Sequence, residues 1–510
     1  YGASLAEANA NGSTSAILGG AVSQASDITV RAQAKNLADA QADAAGGGLL
    51  ATNGASAIAR ANGDVSAIIG SVTGTHVLNS AAAITLEALS SADADADTRG
   101  LSIGVVGATG IMVAIAEASP DVSATIRGTT TLNAGSGVTI NALHNQAGED
   151  VTARADAAGG GLGSALNGTV VDGRAEANTV IDIGLATAIH AGTGAVTVHA
   201  LADNEVTSTG EAFSVGLVAG VGGVWATGIS GGRTEANMGA DVTGSGLDVL
   251  ANARQRADVD ATAAGGGLVA GGTAALATSM VRPTVGASIG AGAIIDVRNA
   301  VSVVSTADTM ADGNAHGVSL AGGIAAGGSV ADVDLNPSMF TTVGAGASIT
   351  TRTAGSGDIT LAMRHNGGDS GTRGAIANAT AVAGSLALSG AGADANAAML
   401  LAMNNTTGNG VTLSAARNVL VQTQVGSRVI ADGNANSFGG LGIGAAITSA
   451  TIGGVANTAT GSVGGGAGGS FKIDVIANQI ADADSKASAA GVYAGQTNRA
   501  TAPVRLMALP

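Results

Sequence analysis

A short phrase of alternating apolar and polar residues returns along the whole chain of 510 residues. Its copies are Ile28-Thr29-Val30, Ile84-Thr85-Leu86, Val138-Thr139-Ile140, Val196-Thr197-Val198, Leu247-Asp248-Val249, Val301-Ser302-Val303, Ile359-Thr360-Leu361, Val411-Thr412-Leu413 and Phe471-Lys472-Ile473. Alternation at period two indicates a strand, and a fixed long period indicates a repeat architecture. The pattern predicts one continuous β-repeat array over residues 1–510, with about eight units of ~55 residues that start near residues 28, 84, 138, 196, 247, 301, 359, 411 and 471.

Each unit continues in the same order after this strand. An alternating small and polar run follows, such as Ala38–Ala44, and then a Gly-rich apolar run. A closing strand comes last, after a turn that carries Asn, as at Asn62 and Asn178. Asn suits such a turn because it tolerates left-handed backbone and its amide can bond to a neighbouring layer.

A longer period overlies the first. The triplets Gly46-Gly47-Gly48, Gly159-Gly160-Gly161 and Gly265-Gly266-Gly267 mark the first, third and fifth units. The second, fourth and sixth units carry Leu101-Ser102-Ile103, Phe213-Ser214-Val215 and Val318-Ser319-Leu320 instead. The translational unit is therefore a pair of repeats, and alternate units place different surfaces in different surroundings.

Small side chains limit the kind of interior that these strands can enclose. The chain has 82 Gly but only 4 Phe, 2 Tyr and 1 Trp, although 46% of it is hydrophobic. Large aromatic side chains normally supply much of the burial energy of a core, so narrow stacked layers are favoured. We predict an all-β, parallel β-helix-like solenoid with two or three coils per unit, a rod of roughly 80 to 120 Å. An antiparallel β-sandwich or barrel array is the alternative, because Gly triplets can also turn hairpins.

Composition also excludes several kinds of partner. The net charge is −16 and no basic cluster is present, so nucleic acid is not expected to bind. Without Cys, thiolate metal sites and thiol catalysis are impossible. The apolar runs Leu101–Ala116 and Ala212–Gly232 are long enough to cross a membrane, but they are rich in Gly and lack flanking Lys or Arg. We predict no membrane span.

No catalytic motif stands out, and we predict that the protein is not an enzyme. The Gly-x-Ser-x-Gly string at 286–290 is not followed by a helix, which a nucleophile elbow requires. His144 and His365 share one offset within their units and are interpreted as solvated surface residues.

One row of acids is a candidate cation site. Asp93, Asp95 and Asp97 would project from one strand face, about 6.8 Å apart. Ca²⁺ prefers carboxylate oxygens, so this row is the candidate for the only cofactor considered. The calcium-binding nonapeptide is missing, and solvated carboxylates are the favoured interpretation.

The third phrase is apolar on both of its alternating faces. In Gly216–Ala226 a strand would need burial on both sides. We predict that one side faces the interior and that the other packs against a neighbouring chain or a neighbouring unit, which gives lateral assembly. A wide interior layer within one chain is the alternative.

The returning Val-Thr-Val strand, the Ala-x-Ala alternation, the Gly-Gly-Leu-x-Ala-Gly-Gly run and the Ala-Asn turn resemble the repeat regions of giant bacterial surface proteins of the filamentous-haemagglutinin and large-adhesin type. This resemblance implies export, a right-handed parallel β-solenoid, and a role in adhesion or matrix building. It accords with the chain's opening at Tyr1, which indicates a processed chain or part of a longer one.

We therefore predict an extracellular structural repeat protein of the bacterial cell surface, a stalk or a self-assembling filament with a role in adhesion or biofilm. Its expected partner is itself, through head-to-tail or lateral contacts. A carbohydrate-active β-helix enzyme or passenger domain is the alternative. One Trp and two Tyr offer little surface for sugar stacking.

Overall fold

The computed structural model describes residues 2–368, 374–460, 462–465, 472–501 and 504–508. Within these residues the only helical element is the short 3-10 turn Asn366–Gly368. The strands are β1 Gly2–Asn9, β2 Thr14–Leu18, β3 Val22–Ala25, β4 Ile28–Arg60, β5 Val65–Ile69, β6 Thr75–Ser80, β7 Ala83–Ala118, β8 Asp121–Ile126, β9 Thr129–Ala134, β10 Gly137–His144, β11 Val151–Gly161, β12 Ser164–Ala175, β13 Asn178–Ile183, β14 Ala188–His190, β15 Val196–Gly216, β16 Ala219–Met238, β17 Asp241–Gly244, β18 Leu247–Gly267, β19 Ala270–Ile289, β20 Ile294–Val297, β21 Val301–Ala321, β22 Ile324–Leu335, β23 Ser338–Val343, β24 Ser348–Thr351, β25 Ile359–His365, β26 Ala375–Ser385, β27 Leu388–Thr407, β28 Thr412–Ala415, β29 Asn418–Phe438, β30 Leu441–Ala459, β31 Ser462–Gly465, β32 Lys472–Ala490, β33 Tyr493–Thr501 and β34 Val504–Ala508.

The chain forms a β-solenoid in which each ~55-residue unit is a single coil. Leu247 pairs with Val196 on one side and with Val301 on the other. The strand pairs of the described residues are parallel, which confirms the solenoid and excludes the antiparallel alternative. The prediction of two or three coils per unit is wrong, and nine layers at about 4.8 Å make a stack of only ~40 Å.

We call each coil a rung and number the rungs by one position that pairs from layer to layer and is buried in rungs 1 to 8. Rungs 1 to 9 carry at this position Ile28, Ile84, Val138, Val196, Leu247, Val301, Ile359, Val419 and Ile473.

Two of the predicted unit starts need correction. Val419, not Val411, pairs with Ile359, whereas Thr412–Ala415 is a short strand on another side of the coil. The ninth equivalent position is Ile473, two residues beyond Phe471, which lies outside the described residues. The error has a physical cause, because the apolar-polar-apolar pattern describes any strand with one buried face and not a particular side of the coil.

Each rung has two long sides and one short side. In rung 5, β18 runs to a two-residue turn at Leu268-Val269, β19 returns beside it, and β20 closes the short side. The short strands stack into their own sheet of nine. We call the outer surface of the first long strands the front face, that of the second long strands the back face, and the turn between them the tip.

The space between the two long sides narrows toward the tip, and side-chain size follows it. At the wide end the interior is aliphatic, with Leu247, Val285 and Ile295 fully buried. Alanine fills the middle of the rung, as at Ala261 and Ala275. Glycine and serine alternate at the tip, as at Gly265 and Ser214, so the low mass of the chain follows from the taper.

The predicted Asn turns are only partly as expected. Asn62 and Asn178 do link layers, since their side-chain oxygens accept the backbone N–H groups of Ser119 at 2.8 Å and Arg233 at 3.0 Å. The left-handed backbone expected there occurs elsewhere: among described non-glycine residues, positive φ is found at Asn145 and Asn366.

Candidate functional site

Large apolar side chains crowd around the tips of successive rungs and are exposed to solvent. On the front face and the tips they are Leu101, Ile103, Val105, Val106, Leu162, Phe213, Val215, Leu217, Val218, Leu268, Val269, Val318, Leu320, Leu386 and Phe438. On the back face they include Ile111, Leu166, Val221 and Trp225. We call this surface the apolar margin. Soluble monomers rarely expose a continuous apolar surface of this extent, and such surfaces mark interaction sites.

The interior of the tip is narrow and takes small residues such as Gly265, Ser214 and Ala212, so the large apolar side chains of this region lie outward. A Cβ on Gly265 would lie 2.2 Å from the carbonyl oxygen of Gly272 on the opposite strand. A Cβ on Gly267 would lie 2.3 Å from the carbonyl oxygen of Ala270. These inward glycines are therefore required by the fold.

Outward positions on the front face alternate strictly between small and large. The position next to the tip is occupied in rungs 1 to 8 by Gly47, Ile103, Gly160, Val215, Gly266, Leu320, Gly384 and Phe438. Two residues earlier, Leu101, Phe213 and Val318 alternate in rungs 2 to 6 with Ala158 and Ala264. We call the large outward side chains of the even rungs knobs and the Gly or Ala positions of the odd rungs holes. Knobs and holes each recur every two rungs.

The outward glycines, unlike the inward ones, are not required by the fold. A Cβ on Gly160 would find its nearest atom, the Val215 carbonyl oxygen, at 3.7 Å, and one on Gly266 would find that of Leu320 at 3.5 Å. Both are ordinary van der Waals contacts, and neither glycine has positive φ. Glycine weakens a strand interior, so nothing within the chain accounts for its use at these positions.

One hole forms a distinct depression of about 610 Å³. Ala158 is its floor, and the exposed side chains of Leu101 and Phe213 stand on either side. Arg99 and Glu211 lie on its polar rim. It can take an apolar side chain of moderate size.

The back face carries a shallower groove of about 510 Å³. Gly168, Gly223 and Ala274 pair in successive rungs along its floor. Ile111 lines it in the preceding rung, and Trp225, two residues beyond Gly223, is 58% exposed. The apolar margin therefore covers both sides of the tip.

The predicted calcium ligands lie on the front face but do not converge. Asp97 pairs instead with Arg99, whose Nη2 is 2.8 Å from the carboxylate. Burial raises the pKa of Asp93 to about 6, and the charges of Asp95 and Asp150 add to this shift. Within the described residues, no group of three or more His, Asp or Glu is arranged to hold a metal ion. The calcium site stays a prediction.

The prediction that His144 and His365 are solvated is wrong. They are 1% and 0% exposed, and burial lowers the pKa of each to about 4. Nδ1 of His365 lies 2.9 Å from the Gly426 carbonyl oxygen, and its Nε2 lies 2.8 Å from the Thr309 hydroxyl. Neither ring nitrogen of His144 has a hydrogen-bond partner in the described part of the chain.

Each of these histidines precedes an asparagine that repairs a break in the sheet. Insertions follow His144 and His365, so the strands opposite them lose their backbone partners. The Asn145 side chain accepts the Ala92 N–H at 2.8 Å and donates to the Ala92 carbonyl at 3.0 Å. Asn366 accepts the Thr309 N–H at 2.7 Å in the same way. The dipeptide His-Asn, which occurs at both insertions, is the sequence signal that could have located them.

The Gly-x-Ser-x-Gly string at 286–290 lies at the end of β19. Ser288 is part of β19 and donates its hydroxyl to the Asn237 side-chain oxygen at 2.7 Å. The two apolar runs considered as spans are strand and tip residues. No helix in the described residues is long and apolar enough to cross a membrane.

Comparisons with protein-family models, with curated proteins and with solved structures found no match to the chain.

Proposed function

We propose that the protein is an extracellular structural repeat protein of the bacterial cell surface, a stalk or filament element that associates with copies of itself through the apolar margin. The observation that carries this proposal is the continuity of the margin. Exposed apolar side chains occupy the tip region in each rung from Leu101 in rung 2 to Phe438 in rung 8.

A small-molecule site would have a different form. Such sites are concave and combine apolar walls with a few convergent polar groups. The margin instead repeats every two rungs along the stack, so that a partner must extend over many rungs to cover it. An elongated partner with the same repeat fits this surface best, and the chain itself has that repeat. The roles in adhesion and biofilm follow from the resemblance to large adhesins.

Sedimentation velocity over a range of protein concentrations tests this proposal, with negative-stain images of the same samples. We expect dimers or longer assemblies in the unmodified chain. The double variant Phe213→Thr/Trp225→Thr should shift them toward monomer, because it removes two exposed aromatic side chains from the margin while keeping residues that favour strands.

Val72→Thr is the matched control, since Val72 is 78% exposed but lies in a turn away from the tip. This variant should associate like the unmodified chain. A monomer at all concentrations for the unmodified chain would overturn the proposal. The location is tested separately by adding protease to intact cells that produce the protein, since a protein on the cell surface should be cleaved.

A further inference from the structure

The alternation of knobs and holes specifies how two copies meet. We propose that two copies pair front face to front face with their solenoid axes antiparallel, about a two-fold axis that lies between rungs 4 and 5 and runs along the strands. This inference rests on the proposed function, because it assigns a geometry to the self-association.

Shape is the first argument. A two-fold axis at this place sets rung 4 of one copy against rung 5 of the other, rung 2 against rung 7, and rung 6 against rung 3. Even rungs carry knobs and odd rungs carry holes, so each knob meets a hole. Val215 faces Gly266 and Leu320 faces Gly160, and this pairing accounts for the outward glycines that the fold does not require.

The parallel arrangement with rungs level fails on the same argument. Its two-fold axis runs along the solenoid, so each even rung meets the same rung of the other copy with its strand reversed, and knobs meet knobs: with the axis at Ser214, Phe213 would meet Val215. Gly160 would likewise face Ala158 and Gly266 would face Ala264, so the holes would stay empty. Close packing at interface cores matches that of protein interiors, which this arrangement cannot provide.

Charge is the second argument. The next outward position, two residues before Ala158 and its register partners, carries Asp156 in rung 3, Glu211 in rung 4, Thr262 in rung 5 and His316 in rung 6. In the antiparallel pair Asp156 faces His316 and Glu211 faces Thr262. No acid of this row therefore faces another acid, so the antiparallel pair avoids the like-charge repulsion that disfavours a partner.

Area is the third argument. Eight rungs at about 4.8 Å and about six residues of strand at ~3.3 Å cover roughly 700 Å² per copy. Stable interfaces bury about 800 Å² per partner, so the knob face alone is close to the size that a specific dimer needs.

Thiol cross-linking tests the geometry cleanly, because the chain has no Cys. Two single variants, Asp156→Cys and His316→Cys, carry tags of different size and are mixed, concentrated and treated with a short bis-maleimide. Opposed sheet faces lie about 10 Å apart. We expect cross-linked heterodimers in the mixture and little product from either variant alone, because identical residues would be three rungs, or ~14 Å, apart along the axis.

Hole-filling variants test the packing without loss of the fold. Gly160→Val and Gly266→Val add side chains that the monomer accommodates, since a Cβ at either position makes only ordinary contacts. Each should leave the unfolding midpoint unchanged or higher and weaken dimerisation by about tenfold or more, which corresponds to ~1.4 kcal/mol. Unchanged dimerisation in both variants would overturn the inference.

The outcomes separate this inference from the proposed function. Cross-linking of each variant alone, as efficient as that of the mixture, would reject the antiparallel pair and keep self-association. A dimer in sedimentation without any cross-link would reject the front-face pairing alone. A monomer in sedimentation, without cross-links, would reject both.

Discussion

Gly160 and Ile103 are register partners on adjacent parallel strands of the front face, a bare backbone position directly beside a large exposed side chain. One residue before Gly160 in the chain, Gly159 points inward, where a Cβ would lie 2.5 Å from the Asn167 side chain. Consecutive glycines of one triplet thus serve different purposes. The inward one permits the narrow tip, and the outward one leaves room outside it.

The triplet of rung 5 allows a direct comparison of these two purposes. Gly265→Ala should destabilise the solenoid by about 3 kcal/mol, because its Cβ would lie 2.2 Å from a backbone carbonyl oxygen that cannot move freely. Gly266→Ala should be neutral or stabilise by up to about 1 kcal/mol, because alanine restricts the unfolded chain. Urea unfolding followed by circular dichroism measures both, and equal midpoints for the two variants would contradict this account of the tip.

The insertion in rung 3 leads to a second prediction. Asn145→Ala removes the side chain that hydrogen-bonds both backbone groups of Ala92. Buried backbone groups without partners are costly, so we expect a loss of about 2 to 4 kcal/mol. Asn141→Ala is the control, since Asn141 donates only a surface hydrogen bond to Glu87 at 3.2 Å. Its effect should be within about 0.5 kcal/mol. A similar loss in both variants would argue against the repair role.

Much of the architecture could be predicted from the repeat, and the rest could not, for physical reasons. Period-two alternation established strands, and the starts of units at Ile28 and Ile84 coincide with true register partners. The number of coils per unit was not predictable, because a strand shows the same alternation whether its partner is 20 or 55 residues away. Val411 shows the same limit, since a short-side strand carries the pattern of a long one.

The apolar margin could be predicted from the sequence only in part. The alternation of Gly triplets with Phe213-Ser214-Val215 and its equivalents indicated two kinds of surface, and the apolar run indicated an exposed face. Only the one-coil rung places these residues on one face as knobs and holes. The buried histidines were missed although period-two alternation places them inward, because a polar side chain was interpreted as exposed. His144 continues the inward series Val138, Ile140 and Ala142, and His365 ends the corresponding series of β25. The recurrence of Asn after both histidines was a second signal.

An acid on the front face leads to a third prediction. Burial raises the pKa of Asp312 to about 6, and the charges of Asp258 and Asp260 raise it further. A folded-state pKa above the ordinary value means that the ionised carboxylate destabilises the fold at neutral pH. Asp312→Asn should therefore stabilise the protein at pH 7.5 by about 1 kcal/mol, after allowance for solvent screening of this partly exposed group. The gain should vanish below pH ~4, where the carboxyl is protonated in both states.

Asp182→Asn is the control for this variant, because Asp182 is exposed on a second long strand. It should change the unfolding midpoint little at either pH. A destabilising effect of Asp312→Asn at pH 7.5 would show that the carboxylate makes favourable contacts that outweigh its burial.

The buried histidines lead to a fourth prediction, with the opposite dependence on pH. Burial lowers the pKa of His144 to about 4, so the folded state keeps the ring neutral while the unfolded chain binds a proton below pH ~6.5. The stability is fully present above pH ~6.5 and is lost as the pH falls toward 4. His144→Leu removes this loss, and the ring nitrogens have no hydrogen bonds to forfeit within the described residues. The fall in unfolding free energy between pH 7 and 4.5 should shrink by about 2 to 3 kcal/mol. The acids with raised pKa act in the other direction, but they are common to both proteins and cancel in the difference.

His316→Gln, at an exposed position, is the control and should keep the full dependence on pH. An identical fall in all three proteins would mean that His144 carries the same charge in the folded and the unfolded state, which would contradict this prediction.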